Sequence, residues 1–348
     1  MDSLHKVESK PNTRRRYPLA SSVHANHPLS ATSDPVLHRF ARLAYLSDSD
    51  MNIRPRTILT GALSFVPGVM PLYRRFVFRP HSAPAETSYG IWLKHLSAAH
   101  ASGLVGVPAS VVELGPGLSL GAGMAALICG VERYVALDVL PFAQMEEVLP
   151  TFDRLVELFK ARAALNPQGF PYYPGALDTS GWPSILPHEH LEPLLRERRI
   201  AELRKEVEAF VGGGSSKRIA YQAPWGMDAA TARSADFVFS HTVLQHVRSV
   251  PEVWGQIAEM LRPGGISTHQ IHFYNHGTSP VWNGHWAYPE WLWRLALGRK
   301  EFLINREPIS SHLDAARAAG LGSVDIRIDN AVPTRCSGWR RDATAASR

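Results

Sequence analysis

Two carboxylates and a pair of glycines raise the first chemical expectation. In the run Val111-Val112-Glu113-Leu114-Gly115-Pro116-Gly117-Leu118-Ser119-Leu120-Gly121, a β-branched stretch ends in an acid and then turns through glycines. Such a turn lets backbone approach a ligand closely and presents the amide donors of the helix that follows. About two dozen residues further on, Tyr134-Val135-Ala136-Leu137-Asp138 ends a second apolar stretch in a carboxylate, the position from which a dinucleotide-type fold accepts hydrogen bonds from ribose hydroxyls. Glu113, Gly115, Gly117, Ser119 and Asp138 are therefore the candidate cofactor-binding residues. Gln222 and Ser240, which close two later apolar stretches, join them. A lone glycine turn would be an ordinary strand-to-helix turn; the acid-ended second stretch argues against that reading.

The candidates for proton transfer are histidines. His241 follows an apolar stretch, at the edge where parallel sheets bind ligands, and suits a general base; a role in the cofactor shell or the framework is the competing account. His246 lies a little over one helical turn further and reads as a capping or packing residue. In Trp282-Asn283-Gly284-His285-Trp286, a polar and aromatic set surrounds a glycine. This makes Trp282, Asn283 and Trp286 candidates for an acceptor pocket and His285 a second catalytic candidate. Asn305 and Arg306 could orient an anionic or hydroxylated acceptor, or tie the chain to itself. His269, His272 and His276 have neither the spacing nor the accompanying carboxylates of a recognised metal site and read as core or rim, so no metal is assigned. Trp291 and Trp293 read as satellite core.

Those residues need a sheet to hold them. Strands are expected at Ser110–Leu114, Tyr134–Val139, Arg218–Gln222, Asp236–Ser240 and Ile266–Phe273, with helices at Leu120–Cys129 and Pro251–Leu261 between neighbours. Alternation of this kind implies an α/β, doubly wound, mostly parallel Rossmann-like sheet with helices on both faces. Residues 1–35, rich in Pro, Ser, Asn, His and Arg, read as a disordered tail, and 36–107 as a helical N-terminal cap. The sheet domain occupies 108–330. Within it, 145–215 is an insertion longer than a connection needs, with a Pro/Gly/Tyr-rich loop at Asn166–Pro187 and one charged amphipathic helix at Leu191–Phe210. Together with Trp282–Trp286 it is expected to roof the pocket. Residues 331–348 form an irregular tail.

One further stretch separates cofactor classes. Ser234-Ala235-Asp236-Phe237-Val238-Phe239-Ser240-His241-Thr242-Val243-Leu244-Gln245-His246-Val247, followed by Leu261-Arg262-Pro263-Gly264-Gly265 and a new strand, resembles the fourth and fifth strand region of class I S-adenosylmethionine-dependent methyltransferases, of the bacterial, methyltransferase type 11-like kind. That family also carries an acid two residues before its first glycine, as Glu113 does. The resemblance spans Val111 to Phe273. Through Ser88–Leu96, Trp282–Trp286 and Leu303–Pro308 it extends from about Ser88 to Gly320. Ser119 stands where a third glycine is frequent, a small-residue departure. The resemblance implies S-adenosylmethionine as cofactor and methyl transfer to a small-molecule or glycan acceptor, with the protein positioning the reactants and excluding water. It also implies an antiparallel last hairpin, for which Ala331–Arg348 is a poor candidate. The competing readings are a nicotinamide-dependent oxidoreductase and a non-catalytic S-adenosylmethionine-binding protein.

Composition sets the outer limits. The 348 residues are 45% hydrophobic and 20% charged, enough for a substantial core. The net charge of +6 is spread among acids rather than clustered, apart from Arg14-Arg15-Arg16, which favours a solvated surface over nucleic-acid binding. Cys129 and Cys336, alone and in unlike contexts, imply no disulfide framework, and a cytoplasmic location is expected. The N-terminus lacks the apolar run of a secretory signal. The apolar stretch Ile58–Leu72 is broken by Gly61, Pro67, Gly68 and Pro71; it reads as two short packed helices, with peripheral membrane contact as the alternative and no transmembrane segment. Oligomeric state is not readable from the sequence.

Overall fold

The computed structural model describes residues 54–76, 83–165, 176–226, 231–300 and 303–328, all within the compact unit Met51–Arg348. The expected tails at 1–35 and 331–348, the start of the helical cap and the loop at 166–175 lie outside the described residues. In chain order the elements are α1 (Pro55–Leu63), α2 (Val69–Phe76), α3 (Ala85–Ala101), β1 (Ser110–Leu114), α4 (Gly121–Ile128), β2 (Arg133–Leu137), α5 (Met145–Lys160), α6 (His188–Leu194), α7 (Glu197–Val211), β3 (Ile219–Gln222), β4 (Ala235–His241), α8 (Val250–Met260), β5 (Leu261–Gln270), α9 (Glu290–Leu297) and α10 (Ile309–Ala318).

All five strands are parallel, in the order β3-β2-β1-β4-β5. The order reverses between β1 and β4, and the crevice beyond their carboxyl ends is where such sheets receive ligands. Alternation along the strands sorts side chains onto two faces. Val111, Tyr134, Ala136, Phe237 and Phe239 pack with α3, α4, α5 and the buried residues of α6 and α7. Val112, Leu114, Val135, Leu137 and Val238 pack with α8 and α10. The small residues of α4, Gly121-Ala122-Gly123 and Ala125-Ala126, let that helix lie close to the sheet. Helix α8 starts from a Ser249 cap whose hydroxyl accepts from the Glu252 amide, with a proline in its first turn. The doubly wound Rossmann-like expectation is thus met, and β1 has the expected bounds.

Several expected details differ. The helix expected at Leu191–Phe210 is two helices, because Pro193 removes an amide from the first and Arg196 is extended between them. Helix α5, at the start of the expected insertion, belongs to the core layer through Phe152, Leu155 and Phe159. Helices α6 and α7 roof nothing at the carboxyl edge. Arg199 donates to the carbonyls of Leu127 and Ile128, and His190 Nε2 lies 3.0 Å from the Cys129 carbonyl, so they cap the far end of α4, away from its glycine turn. These are the orphan carbonyls of a helix C-terminus, and a guanidinium satisfies two of them. Strand β5 begins at Leu261, five residues before the expected start; the register shift after Ala235 absorbs Arg262 to Gly265, with Gly264 at φ 80°. It ends at Gln270, short of Phe273. The cap divides: α3 packs on the sheet, whereas α1 packs on α9. Among the described residues the sheet stops at β5, and 321–328 run on in irregular conformation.

Candidate functional site

The glycine turn is built from beneath. Gly115 and Gly117 take φ 65° and 73°, values that favour glycine. The Gly115 amide donates to the Leu137 carbonyl (2.8 Å), which pins the turn to β2. A Cβ at Gly115 would press on Val243, whereas the space at Gly117 is open. Glu113 does not reach that space. It is 3% exposed and faces the helix layer, where Tyr134 donates its hydroxyl at 2.6 Å and Gly123 its amide. The Tyr134 ring lies where a Gly123 side chain would be, so the acid, the tyrosine and the glycine interlock. Burial, partly offset by those two donors, pushes the Glu113 carboxyl up to about 7. Its contacts are with the framework beneath the turn. Ser119 is buried next to the start of α4.

Asp138, one residue beyond β2, is 6% exposed and accepts from the amides of Val139 (2.7 Å) and Leu140. Burial lifts its carboxyl to about 6. Its own amide donates to Gln222 O (3.0 Å) and its carbonyl accepts from Trp225 N (2.6 Å), so the ends of β2 and β3 and the residues after them form one rim. Trp225 Nε1 is buried with no hydrogen-bond partner among the described residues. A carboxylate acceptor, an orphaned donor and an open glycine backbone form a donor and acceptor set that fits a nucleoside with a vicinal diol.

At the end of β4 the structure assembles a relay that sequence reasoning missed. His241 Nδ1 lies 3.3 Å from His95 Nε2 of α3, and His95 Nδ1 lies 2.8 Å from Thr268 Oγ1 of β5. Burial, then the neighbouring Lys94 charge and His272, press the His241 imidazole down to about 3, and burial holds His95 well below its ordinary value. Both rings are neutral. Lys94, itself buried, donates to Gln270 Oε1 (3.0 Å), and Gln270 Nε2 lies 3.4 Å from His272 Nε2. Register sets the relay beside the turn: Ser240 pairs with Leu114, so His241 and Gly115 emerge side by side. Ser240, however, faces the other layer, its hydroxyl 2.8 Å from His269 Nδ1, with Trp254 against that imidazole. Its side chain is therefore not available to a cofactor. His269 is core, as expected.

The aromatic segment folds around Asn275, whose side chain donates to Val281 O (2.6 Å) and accepts from Gly277 N (2.6 Å). Asn283 is fully buried, and neither of its amide atoms has a partner among the described residues. His285 lies against Trp286 and Trp293; burial, then Arg306 and His276, lower its imidazole to about 3. His276 in turn neighbours His246 and His272. Trp282 and Trp286 are half-buried. Asn305 and Arg306 tie the chain to itself, the alternative the sequence left open. Asn305 Nδ2 donates to the carbonyls of Leu244 (3.0 Å) and Val247 (3.1 Å), while Arg306 donates to Tyr288 O (2.7 Å), pairs with Glu290 and lies over the Trp293 ring. Both hold polypeptide. A signal for His95 and Lys94 was present: two polar residues in the middle of an apolar helical run. A cleft of about 450 Å3 lined by Arg233, Arg262, Gly264 and Leu321 opens at the opposite, amino edge of the sheet and has no link to these groups.

Comparison with known proteins bears on this geometry. The family model of a methyltransferase domain matches residues 225–268, from Trp225 through β4 and α8 into β5. No curated protein matches the chain. Among solved structures, phosphoethanolamine N-methyltransferase 2 of Haemonchus contortus is 13% identical, with a TM-score of 0.34 and coverage of 74% of this chain and 45% of that one. An S-adenosylmethionine-dependent methyltransferase from Mesorhizobium loti is 16% identical, with a TM-score of 0.32 and coverage of 64% and 79%. The chain spans about half the length of the first such structures, 48% and 45%. Superpositions this loose set no residue of one chain on a residue of another. The domain match, in contrast, falls on the strand, helix and strand that carry His241 and Thr268, and the similarity there is to a methyltransferase rather than to a nicotinamide-dependent enzyme. The match lies in a doubly wound sheet whose first two strands bring Glu113, the glycine turn and Asp138 to one edge, and it makes this stretch of the chain similar to a methyltransferase domain.

Proposed function

We propose that the chain transfers the methyl group of S-adenosylmethionine to a hydroxyl of a small, neutral, hydroxyl-rich acceptor such as a sugar or glycan unit, with His241 as general base. The observation that carries this reading is the His241–His95–Thr268 relay beside the glycine turn. When bound, the cofactor supplies an electrophilic methyl on a sulfonium and departs as a thioether. Gly117 and the amides of the turn cradle it, Asp138 accepts from its ribose, and Trp225 borders the same rim. A hydroxyl oxygen attacking that methyl must lose its proton. If His241 carries its own proton on Nδ1 and donates it to His95 Nε2, then Nε2 of His241 is the acceptor; His95 Nδ1–H then donates to Thr268. The hydrogen-bond chain from His241 through His95 to Thr268 sets this tautomer. Lys94 and burial keep His241 neutral before the transfer and also make it a weak base, so it takes the proton late, once bond formation to the methyl has made the hydroxyl strongly acidic.

Neutral imidazoles, together with the Asn283 amide and Gln245 Nε2, both without a partner among the described residues, suit hydroxyls better than ions, because none brings a charge to neutralise. Trp282 and Trp286 supply flat apolar surface for the acceptor, and His285 lines it. One observation favours a second reading: buried Lys94 would recognise a carboxylate acceptor, whose methylation needs no base. A labelled-cofactor screen of sugars and of carboxylic acids tests both. Transfer to a sugar that falls about 10²–10⁴-fold in His241→Ala and less in His95→Phe supports the base. Transfer to a carboxylate that survives His241→Ala supports the Lys94 reading. Cofactor binding without turnover of any acceptor would leave a non-catalytic binding protein.

A further inference from the structure

Helix α1 leaves its leucines outward. Its side toward α9 carries Thr57, Gly61 and, at the cap, Ser64, all buried, with half-buried Ile58 as the apolar contact. The helices touch so closely at Gly61 that a Cβ there would strike the Leu295 and Ala296 carbonyls. Ser64 Oγ donates to Gly61 O (2.5 Å) and accepts from Arg299 N (2.7 Å). The side turned to solvent carries Leu59 and Leu63, and the chain continues through Phe65 and Val66 to Leu72 of α2. These five side chains keep 43% to 60% of their surface exposed. One exposed leucine is ordinary, but five large apolar side chains on one short helical pair are not. A helix packed in an aqueous protein arranges the two sets the other way.

Charge indicates what covers this face. Between Asp50 and Glu86 the sequence holds no acid and five arginines, Arg54, Arg56, Arg74, Arg75 and Arg79. Arg54 and Arg56 are exposed, and exposed Arg299 sets its guanidinium 5.6 Å from the Phe65 ring centre. The acid on α9, Glu290, sits at the other end of that helix, paired with Arg294 and Arg306. Apolar side chains flanked by arginines match the interface of an anionic bilayer, with leucine and phenylalanine among the acyl chains and guanidiniums at lipid phosphates. A second copy of the chain would bring the same arginines against these, which disfavours a symmetric dimer here. No described helix is long and apolar enough to cross a membrane, so contact would be with the surface. We propose that α1, the Ser64–Gly68 connection and α2 dock the chain onto an anionic membrane surface.

Flotation of the full chain with phosphatidylcholine vesicles, with and without phosphatidylglycerol, tests this. The chain should float with the anionic vesicles, less with the neutral ones, and salt should weaken the binding. Phe65→Ser combined with Val66→Ser should lower the partition about tenfold or more. Arg54→Gln combined with Arg56→Gln should lower it by a similar factor on anionic vesicles only. Cofactor binding measured by calorimetry should stay at the parent value in both, since neither pair touches the glycine turn. No flotation with either vesicle, or parent-like flotation of the Phe65/Val66 variant, overturns the proposal. So does sedimentation equilibrium in which those substitutions turn a dimer into a monomer, which would give the face to a second copy.

Discussion

Glu113→Gln distinguishes an acid that meets ligand from one that supports the turn beneath it. The carboxyl is buried, accepts from Tyr134 and Gly123, and has its pKa carried by burial from 4.5 to about 7. Glutamine keeps an oxygen for one or both donors and removes the ionisation. That rise corresponds to about 3 kcal/mol, the cost of holding a carboxylate in this place once the pH exceeds the folded value. Between those two pH values the folded chain keeps a proton on Glu113 that the unfolded chain has released. The parent therefore loses stability as pH rises through that window. Asp138, lifted from 3.8 to about 6, adds to the same trend. His241, His269 and His285 act oppositely: their folded values near 3 lie below the ordinary 6.5, so the unfolded chain binds the protons between the two and stability rises with pH. Comparing parent and variant at each pH cancels these shared contributions. Thermal melts should show Glu113→Gln close to the parent near pH 4.5 and more stable by about 2–3 kcal/mol at pH 8, several degrees in Tm. A variant less stable than the parent at pH 8, or a difference that does not grow with pH, would refute the reasoning. A cofactor affinity reduced more than about tenfold in an equally stable variant would return Glu113 to the ligand.

Two further outcomes follow from the same geometry. Asp138→Ala should weaken S-adenosylmethionine binding by about 1.5–3 kcal/mol in calorimetry. In the parent, affinity should fall as the pH drops below about 6, where the carboxyl proposed to accept from the ribose takes up a proton. Asn305→Ala removes two hydrogen bonds to the Leu244 and Val247 carbonyls and should cost about 1–3 kcal/mol in urea unfolding, with cofactor affinity near the parent value. A loss of methyl transfer without a loss of stability would restore Asn305 to the acceptor pocket.

The strand ends were legible because their signals are local. Val111 to Gly117 and Tyr134 to Asp138 each state strand, turn and acid within a few residues, and parallel register then brings the two ends together. What Glu113 touches was not legible. The alternation of β1 only assigns it a face, and its partner Tyr134 is set by strand pairing across residues distant in sequence. Where the described helices of the insertion sit was hidden for a similar reason. Its length suggested a lid, but where a connection lies depends on what it can satisfy, and the Arg199 guanidinium met the open carbonyls at the end of α4. Asn305 and Arg306 carried the right chemistry for an acceptor and used it within the chain, on the Leu244, Val247 and Tyr288 carbonyls and the Glu290 carboxylate, a choice that only three-dimensional proximity reveals.

The relay and the exposed helix share one cause for having escaped the sequence pattern. A period of helical spacing assigns apolar side chains inward and polar ones outward, so it finds the elements whose residues obey that rule and misassigns the ones that break it. Lys94 and His95 are polar and lie inside; Leu59 and Leu63 are apolar and lie outside. Each arrangement costs free energy in the isolated chain: a buried imidazole must stay neutral, and an exposed leucine keeps water ordered around it. Selection tolerates such costs where something else offsets them, as sequences otherwise agree with their folds at every level. For His95 the compensation is visible in Thr268 and His241, so the pair can be assigned a chemical role. For Leu59 and Leu63 nothing within the described protein supplies it, and the arginines on the same segment say which external surface would. Conflict between residue type and environment is therefore the better guide to function here than agreement, and it becomes readable only when burial is known.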